Sequence, residues 1–222
     1  MTAPTALLFD FGGTLDADGI PWKDRFFALF REEGLSTPAE RFDGAFYAAD
    51  DALVGTLPKE LSLAETVERL SRDLTRALGG DGALAERVAD RFFGDAFAKL
   101  SANAPLLERL SARFRLGIVA NFYGNLEAVC SGAGIRRHFG VTVDSAAVGF
   151  TKPDPRIFQA ALAALEASPD RAVFVGDSLP RDMAGARRLG MPHVWLKPGQ
   201  RQGCCPDDAV IASLAQLPEV LP

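Results

Sequence analysis

A few polar side chains in this sequence stand where chemistry is possible. Asp10 ends an apolar run in "ALLFDFGGTLD", Ala6 to Asp16, and a glycine pair, Gly12 and Gly13, follows it. Ala120 and Asn121 close "LGIVAN", Lys152 lies in "GFTKPDP", and Asp177 and Asp182 stand in "VFVGDSLPRD". A Gly-Asp step after an apolar run, with a second aspartate near the start of a helix, can put two carboxylates beside one cavity. Together with Asp10 they could hold a hard cation such as magnesium through oxygen. Lys152 supplies positive charge for a phosphate, and for a carboxylate that must stay ionised among others.

These residues need a scaffold that gathers them. From Ala104 onward, short runs rich in valine and isoleucine ("RLGIVAN", "GVTVDS", "AVFVGDS", "HVWLKP") alternate with helical stretches ("NLEAVCSGAG", "DPRIFQAALAALEA", "RDMAGARRLG"). That alternation predicts a parallel sheet with helices on both faces, and "ALLFDF" reads as one more strand of it. Between Gly19 and about Leu100 apolar residues recur at three and four spacing, as in "WKDRFFALFREEG" and "AETVERLSRDLTRALGG", which predicts a helical block. The fold class is therefore α/β: a parallel sheet core flanked by helices, residues 1–18 and 101–222, with an all-helical insertion, residues 19–100. In open sheets of this kind ligands bind beyond the carboxyl ends of the strands. Asp10, Ala120 with Asn121, Lys152, and Asp177 with Asp182 are all read as lying at such ends.

Composition narrows the function classes. With 222 residues and 48% apolar content the chain can bury a full core. A net charge of -5 gives no basic field for nucleic acid, which is set aside as a partner. The sequence holds no apolar run of the roughly 18 residues a membrane helix needs, and no leader pattern at its start. Cys130, Cys204 and Cys205, an odd set with two adjacent, read as reduced thiols of a cytoplasmic protein. His138 and His193 fit no metal or acid-base spacing and are read as structural. Phe26, Phe27, Phe30, Phe42, Phe46 and Tyr47 are read as the core of the helical block, with one or two facing the cleft. Nothing in the sequence sets an oligomeric state.

The sequence resembles the haloacid dehalogenase-like hydrolase superfamily across nearly its whole length. The resemblance is carried by "DFGGTL", "KPDPRIF" and "GDSLPRD", in the family's order and spacing. It implies a Rossmann-like core, a helical cap inserted after the first motif, and an aspartate nucleophile that takes a phosphoryl group. By that resemblance Asp10 is the nucleophile and a magnesium ligand, Lys152 the charge-stabilising lysine, and Asp177 and Asp182 metal carboxylates. The implied activity is magnesium-dependent hydrolysis of a small phosphorylated metabolite through an aspartyl phosphate.

Two positions depart from the family pattern. Gly12 stands where the family carries a second aspartate that protonates the leaving group; its backbone carbonyl keeps a place among the metal ligands. Without that acid, substrates with good leaving groups are favoured, unless Asp16 or Asp18 folds back to donate the proton. Ala120 stands where a serine or threonine would bind the phosphoryl group, leaving Asn121 and the backbone for that contact. These departures keep two alternatives open: an attenuated or non-catalytic binder of phosphorylated metabolites, and a haloacid dehalogenase in which Asp10 attacks carbon without a metal. Gly13 is read as a tight turn.

Overall fold

The computed structural model of the protein describes residues 3–200 and 209–221; Cys204 and Cys205 lie outside them. In chain order the elements are β1 (Ala6–Phe9), α1 (Trp22–Glu32), α2 (Ala39–Leu53), α3 (Leu63–Leu78), α4 (Gly82–Ser111), β2 (Arg115–Ala120), α5 (Leu126–Gly132), β3 (Val141–Asp144), α6 (Ser145–Val148), α7 (Pro155–Ala164), β4 (Ala172–Gly176), α8 (Ala184–Arg188), β5 (His193–Leu196), β6 (Ala209–Ile211) and α9 (Leu217–Val220). The strands form one parallel sheet in the order β3-β2-β1-β4-β5-β6. Among the described residues no helix is long and apolar enough to cross a membrane.

The central strands β1, β2 and β4 are apolar on both sides because the sheet is covered on both. Leu7 and Phe9 of β1 pack with Leu106, Leu107 and Leu110 of α4 and with Leu126 and Val129 of α5. Ala6 and Leu8 face the other way, onto Ile157, Phe158, Ala161 and Leu162 of α7 and Ala186 of α8. This two-residue alternation explains why β1 reads as a continuous hydrophobic run.

The insertion between β1 and β2 is helical throughout. Ser62 and Glu65 form a reciprocal cap at the start of α3, Gly79 ends it with φ 83°, and Asp81 caps α4 by accepting from Leu84 N–H. The aromatic side chains Phe26, Phe30, Phe42, Phe46 and Phe92 pack inside the block, with Phe26 and Phe92 stacked at 4.3 Å between centroids. Residue 100, the expected end of the block, falls inside α4. Pro105 removes one helical hydrogen bond there, yet Leu100, Asn103, Leu106, Leu107 and Leu110 keep the buried stripe running through it onto the sheet. The strand β6 was not anticipated, since three residues are too few to show alternation.

Candidate active site

The sheet order reverses direction between β1 and β4, and the two strands end side by side with Phe9 opposite Val175. Chains leaving them diverge, which opens a crevice at their carboxyl ends. Asp10 takes the first step into it, its N–H bonded to Val175 O at 2.9 Å, and Asp177 is the first residue beyond β4. Asp182 comes from the turn that follows, where its Oδ2 accepts from Ser178 N–H at 3.0 Å. A Cβ at Gly176 would collide with the Asp182 carboxylate, so glycine is what lets that side chain in. Gly13, with φ 91°, makes the expected turn, and a Cβ there would lie 2.8 Å from Asp177 Oδ2.

Lys152 Nζ reaches Asp10 Oδ1 at 2.5 Å and Asp182 Oδ1 at 2.7 Å, with all three groups buried. Burial alone would push the lysine down, but the charges on Asp10 and Asp182 outweigh it and hold it above its ordinary value. Sequence placed Lys152 at a strand end. It stands instead in the loop between α6 and α7, because β3 stops at Asp144 and "SAAV" turns helical. Asn121 fixes that loop: Lys152 N–H donates to Asn121 Oδ1 at 2.7 Å, and Asn121 Nδ2 donates back to Lys152 O at 3.2 Å.

One ligand oxygen each from Asp10, Asp177 and Asp182 fits within a set whose members lie within 4.8 Å of one another. Burial first, then the charges of Asp10 and Asp182, push Asp177 up to about 8. Asp182 is pushed up to about 6, by burial and by Asp10 against the pull of Lys152. Crowded, desolvated carboxylates of this kind are short of positive charge, and an all-oxygen set suits a hard divalent cation. The residues present therefore fit magnesium.

Asp10, Gly12, Asn121, Lys152, Asp177 and Asp182 line a cavity of about 270 Å³. Its other walls carry Trp22, Phe46, Tyr47 and Asp50 from the helical insertion, and Phe122, Tyr123 and Arg181 from the loops beyond β2 and β4. Phe46 and Tyr47 thus supply the cleft-facing aromatics. Ala120 is not among the lining residues; it packs in the core, 1% exposed.

Among the described residues, the atoms nearest a side chain at Gly12 belong to Trp22. The Trp22 indole covers it, with Nε1 3.1 Å from where a Cβ would stand. Asp16 is occupied: it accepts from Gly13 N–H, Trp22 Nε1–H and Arg25 Nη1–H, each at 2.7 Å. Asp18 pairs with Lys99. Neither lines the cavity, nor do His138 and His193. Cys130 is buried and free, its thiol pushed up to about 12 chiefly by burial.

Sequence reading passed over Asp50, Tyr123 and Trp22. Asp50 lies four residues after Phe46 on α2, on the flank of the buried stripe formed by Phe42, Phe46, Ala49 and Leu53, and that offset is the signal that marks it.

The family profile of the haloacid dehalogenase-like hydrolases matches residues 4–190. The chain belongs to this family. This haloacid dehalogenase-like hydrolase is 32% identical over 205 residues to phosphoserine phosphatase of Thermus thermophilus, covering 88% of this chain and 82% of that protein. It is 42% identical over 78 residues to glyceraldehyde 3-phosphate phosphatase of Pyrococcus furiosus, a match spanning 33% of this chain and 32% of that one. Among solved structures, a 2-haloacid dehalogenase of Pseudomonas syringae is 27% identical, with a TM-score of 0.56 and 98% of both chains covered.

Proposed function

We propose that the protein is a magnesium-dependent phosphohydrolase of a small phosphorylated metabolite, working through an aspartyl phosphate on Asp10, with residues 19–100 acting as a cap over the site. The observation that carries this reading is the buried set of Asp10, Asp177 and Asp182 around Lys152 at the end of the sheet. The phosphatase names of the two relatives support it.

Magnesium, held by Asp10, Asp177 and Asp182 with the Gly12 carbonyl as a further oxygen, would neutralise charge on the phosphoryl group when bound. The protein's own groups do the rest. Lys152 aims Asp10, and its cationic head offsets negative charge that gathers during transfer. An Asp10 oxygen attacks phosphorus, and water later hydrolyses the acyl phosphate. Asn121 holds the lysine loop through two hydrogen bonds, so its part is to position Lys152. Trp22, Phe46, Phe122 and Tyr123 wall the cavity with aromatic surface and restrict it to a small substrate. Position 12 offers no proton to the leaving oxygen, so a basic leaving group needs a proton from elsewhere in the cavity.

The likeness to a 2-haloacid dehalogenase motivates a second reading, in which Asp10 displaces halide from carbon. One experiment separates the two. Purified protein is assayed against a panel of phosphorylated metabolites and p-nitrophenyl phosphate, with magnesium or with chelator, and against 2-chloropropionate for halide release. Phosphate release that needs magnesium and vanishes in Asp10→Asn is the expected result. Metal-independent halide release without phosphate release would replace the phosphohydrolase by the dehalogenase.

A further inference from the structure

Expulsion of an alkoxide from phosphorus needs a proton at the departing oxygen, and this cavity must supply it from a group other than residue 12. Among the described residues that line it, Arg181 carries a permanently cationic guanidinium, and the other titratable groups can be weighed one by one. Asp10, Asp177 and Asp182 are taken up as nucleophile and cation ligands, and Lys152 is engaged with Asp10 and Asp182. Lys23, held above its ordinary value mainly by its hydrogen bond to Asp43, gives up its proton reluctantly. The Tyr123 hydroxyl, driven well above its ordinary value by burial and by Asp50, is weaker still as an acid. Asp50 remains.

We infer that Asp50 is the residue that protonates the leaving group, and that Tyr123 positions it. The inference rests on the phosphohydrolase reading and deepens it. Asp50 projects from α2 into the cavity, and the Tyr123 hydroxyl, at the end of the loop beyond β2, donates to its Oδ1. The two elements are joined again next door, where Gly55 N–H donates to Tyr123 O at 3.1 Å. The carboxyl is thereby fixed across the junction between helical insertion and sheet. Burial raises its proton affinity first, Tyr123 pulls against that, Asp51 on the same helix adds to it, and Arg181 from the loop beyond β4 opposes it. The net effect is upward, so Asp50 holds a proton more readily than an ordinary aspartate, as a general acid requires.

The geometry of displacement agrees. Asp10 stands at the carboxyl end of the central strand β1 and Asp50 on the insertion's side of the same cavity, so the leaving oxygen of a phosphate ester held between them would depart in line with Asp10 and meet Asp50. As the bond from Asp10 to phosphorus forms, the bond from phosphorus to the substrate oxygen breaks. That oxygen keeps the electron pair and takes the proton from Asp50 Oδ2, giving an alcohol, an aspartyl phosphate and an Asp50 carboxylate. In the second half, water adds to phosphorus, its proton returns to Asp50, and Asp10 is released together with inorganic phosphate.

The test uses the full chain with magnesium and a series from propyl phosphate to p-nitrophenyl phosphate, in wild type, Asp50→Asn, Asp50→Ala and Tyr123→Phe, with thermal melts confirming folding. In both Asp50 variants kcat/KM on propyl phosphate, which reports the first half alone, should fall about 100-fold or more while kcat/KM on p-nitrophenyl phosphate is nearly unchanged, so that the first half depends more steeply on leaving-group basicity. Tyr123→Phe, which keeps the acid but loses its tether, should show a smaller loss of kcat/KM confined to propyl phosphate. Equal losses of kcat/KM on both substrates, or none on propyl phosphate, would overturn the assignment, as would a wild type that hydrolyses p-nitrophenyl phosphate and not propyl phosphate. A wild type inactive on both would instead remove the phosphohydrolase reading on which the assignment stands.

Discussion

Asp16 shows how one residue near a reactive carboxylate becomes a strut. Its carboxylate is fully buried and binds the Gly13 N–H, the Trp22 indole and the Arg25 guanidinium, which is itself 11% exposed and lies over the Phe92 ring at 3.9 Å. Asp16 thus ties the glycine turn after Asp10 to the first helix of the insertion. Replacing it by alanine leaves Arg25 buried without its counter-charge, and Asp16→Ala should cost about 3 to 5 kcal/mol of stability. Urea denaturation checks this; a loss below about 1 kcal/mol would mean that water reaches Arg25 freely. The same residue marks the limit of sequence reading at this scale. Asp10 and Asp177 were legible because strand ends announce themselves by an apolar run that stops at an acid, and Asp182 because it follows that step near the start of a helix. Asp16 read as a linker residue or a spare acid, since its partners Trp22 and Arg25 act through side chains whose directions no spacing gives.

Among the elements, the loop from Asn121 to Tyr123 carries much of the site, and Asp144 at the end of β3 secures it. The Asp144 carboxylate accepts from Gly124 N–H at 2.8 Å, Leu126 N–H at 3.1 Å and Ala146 N–H at 3.0 Å. Burial raises its proton affinity, and the three N–H donors pull it back part of the way. Asp144→Ala leaves these buried donors without an acceptor and should cost about 2 to 4 kcal/mol, with Asp144→Asn milder because its amide oxygen still accepts. Denaturation midpoints of the two variants decide it, and equal, small losses would show that the loop holds its shape without Asp144. Element types were legible where periodicity is long: four helices in the insertion, five strands of the sheet. Lys152 was misplaced to a strand end because "GF" before it is apolar, whereas the chain had already turned through α6. The helical block was ended at about Leu100, whereas packing of Leu106, Leu107 and Leu110 against the sheet carries α4 on to Ser111.

On the scale of the molecule, a chain of net charge -5 gathers three buried carboxylates against one buried lysine, and this imbalance governs its response to pH. Asp177, pushed up to about 8, and Asp182, pushed up to about 6, bind protons more tightly when folded than the unfolded chain does. The folded state then holds more protons over the window between the ordinary carboxylate range and about pH 8, so stability of the metal-free protein should fall as pH rises through it. Lys152, held above its ordinary value, adds stability that is lost only far above neutrality and leaves this window alone. Magnesium supplies the missing positive charge and must displace those protons to bind, so its stabilisation should grow with pH across the same window. Melting temperatures with chelator or with saturating magnesium, taken from about pH 5.5 to about pH 8, should therefore diverge as pH rises. Asp177→Asn should flatten the decline in chelator and weaken the magnesium response together. A magnesium shift that stays constant across the range, or a chelated protein whose stability rises towards pH 8, would mean that these carboxylates are already ionised in the folded chain and that Lys152 alone compensates them.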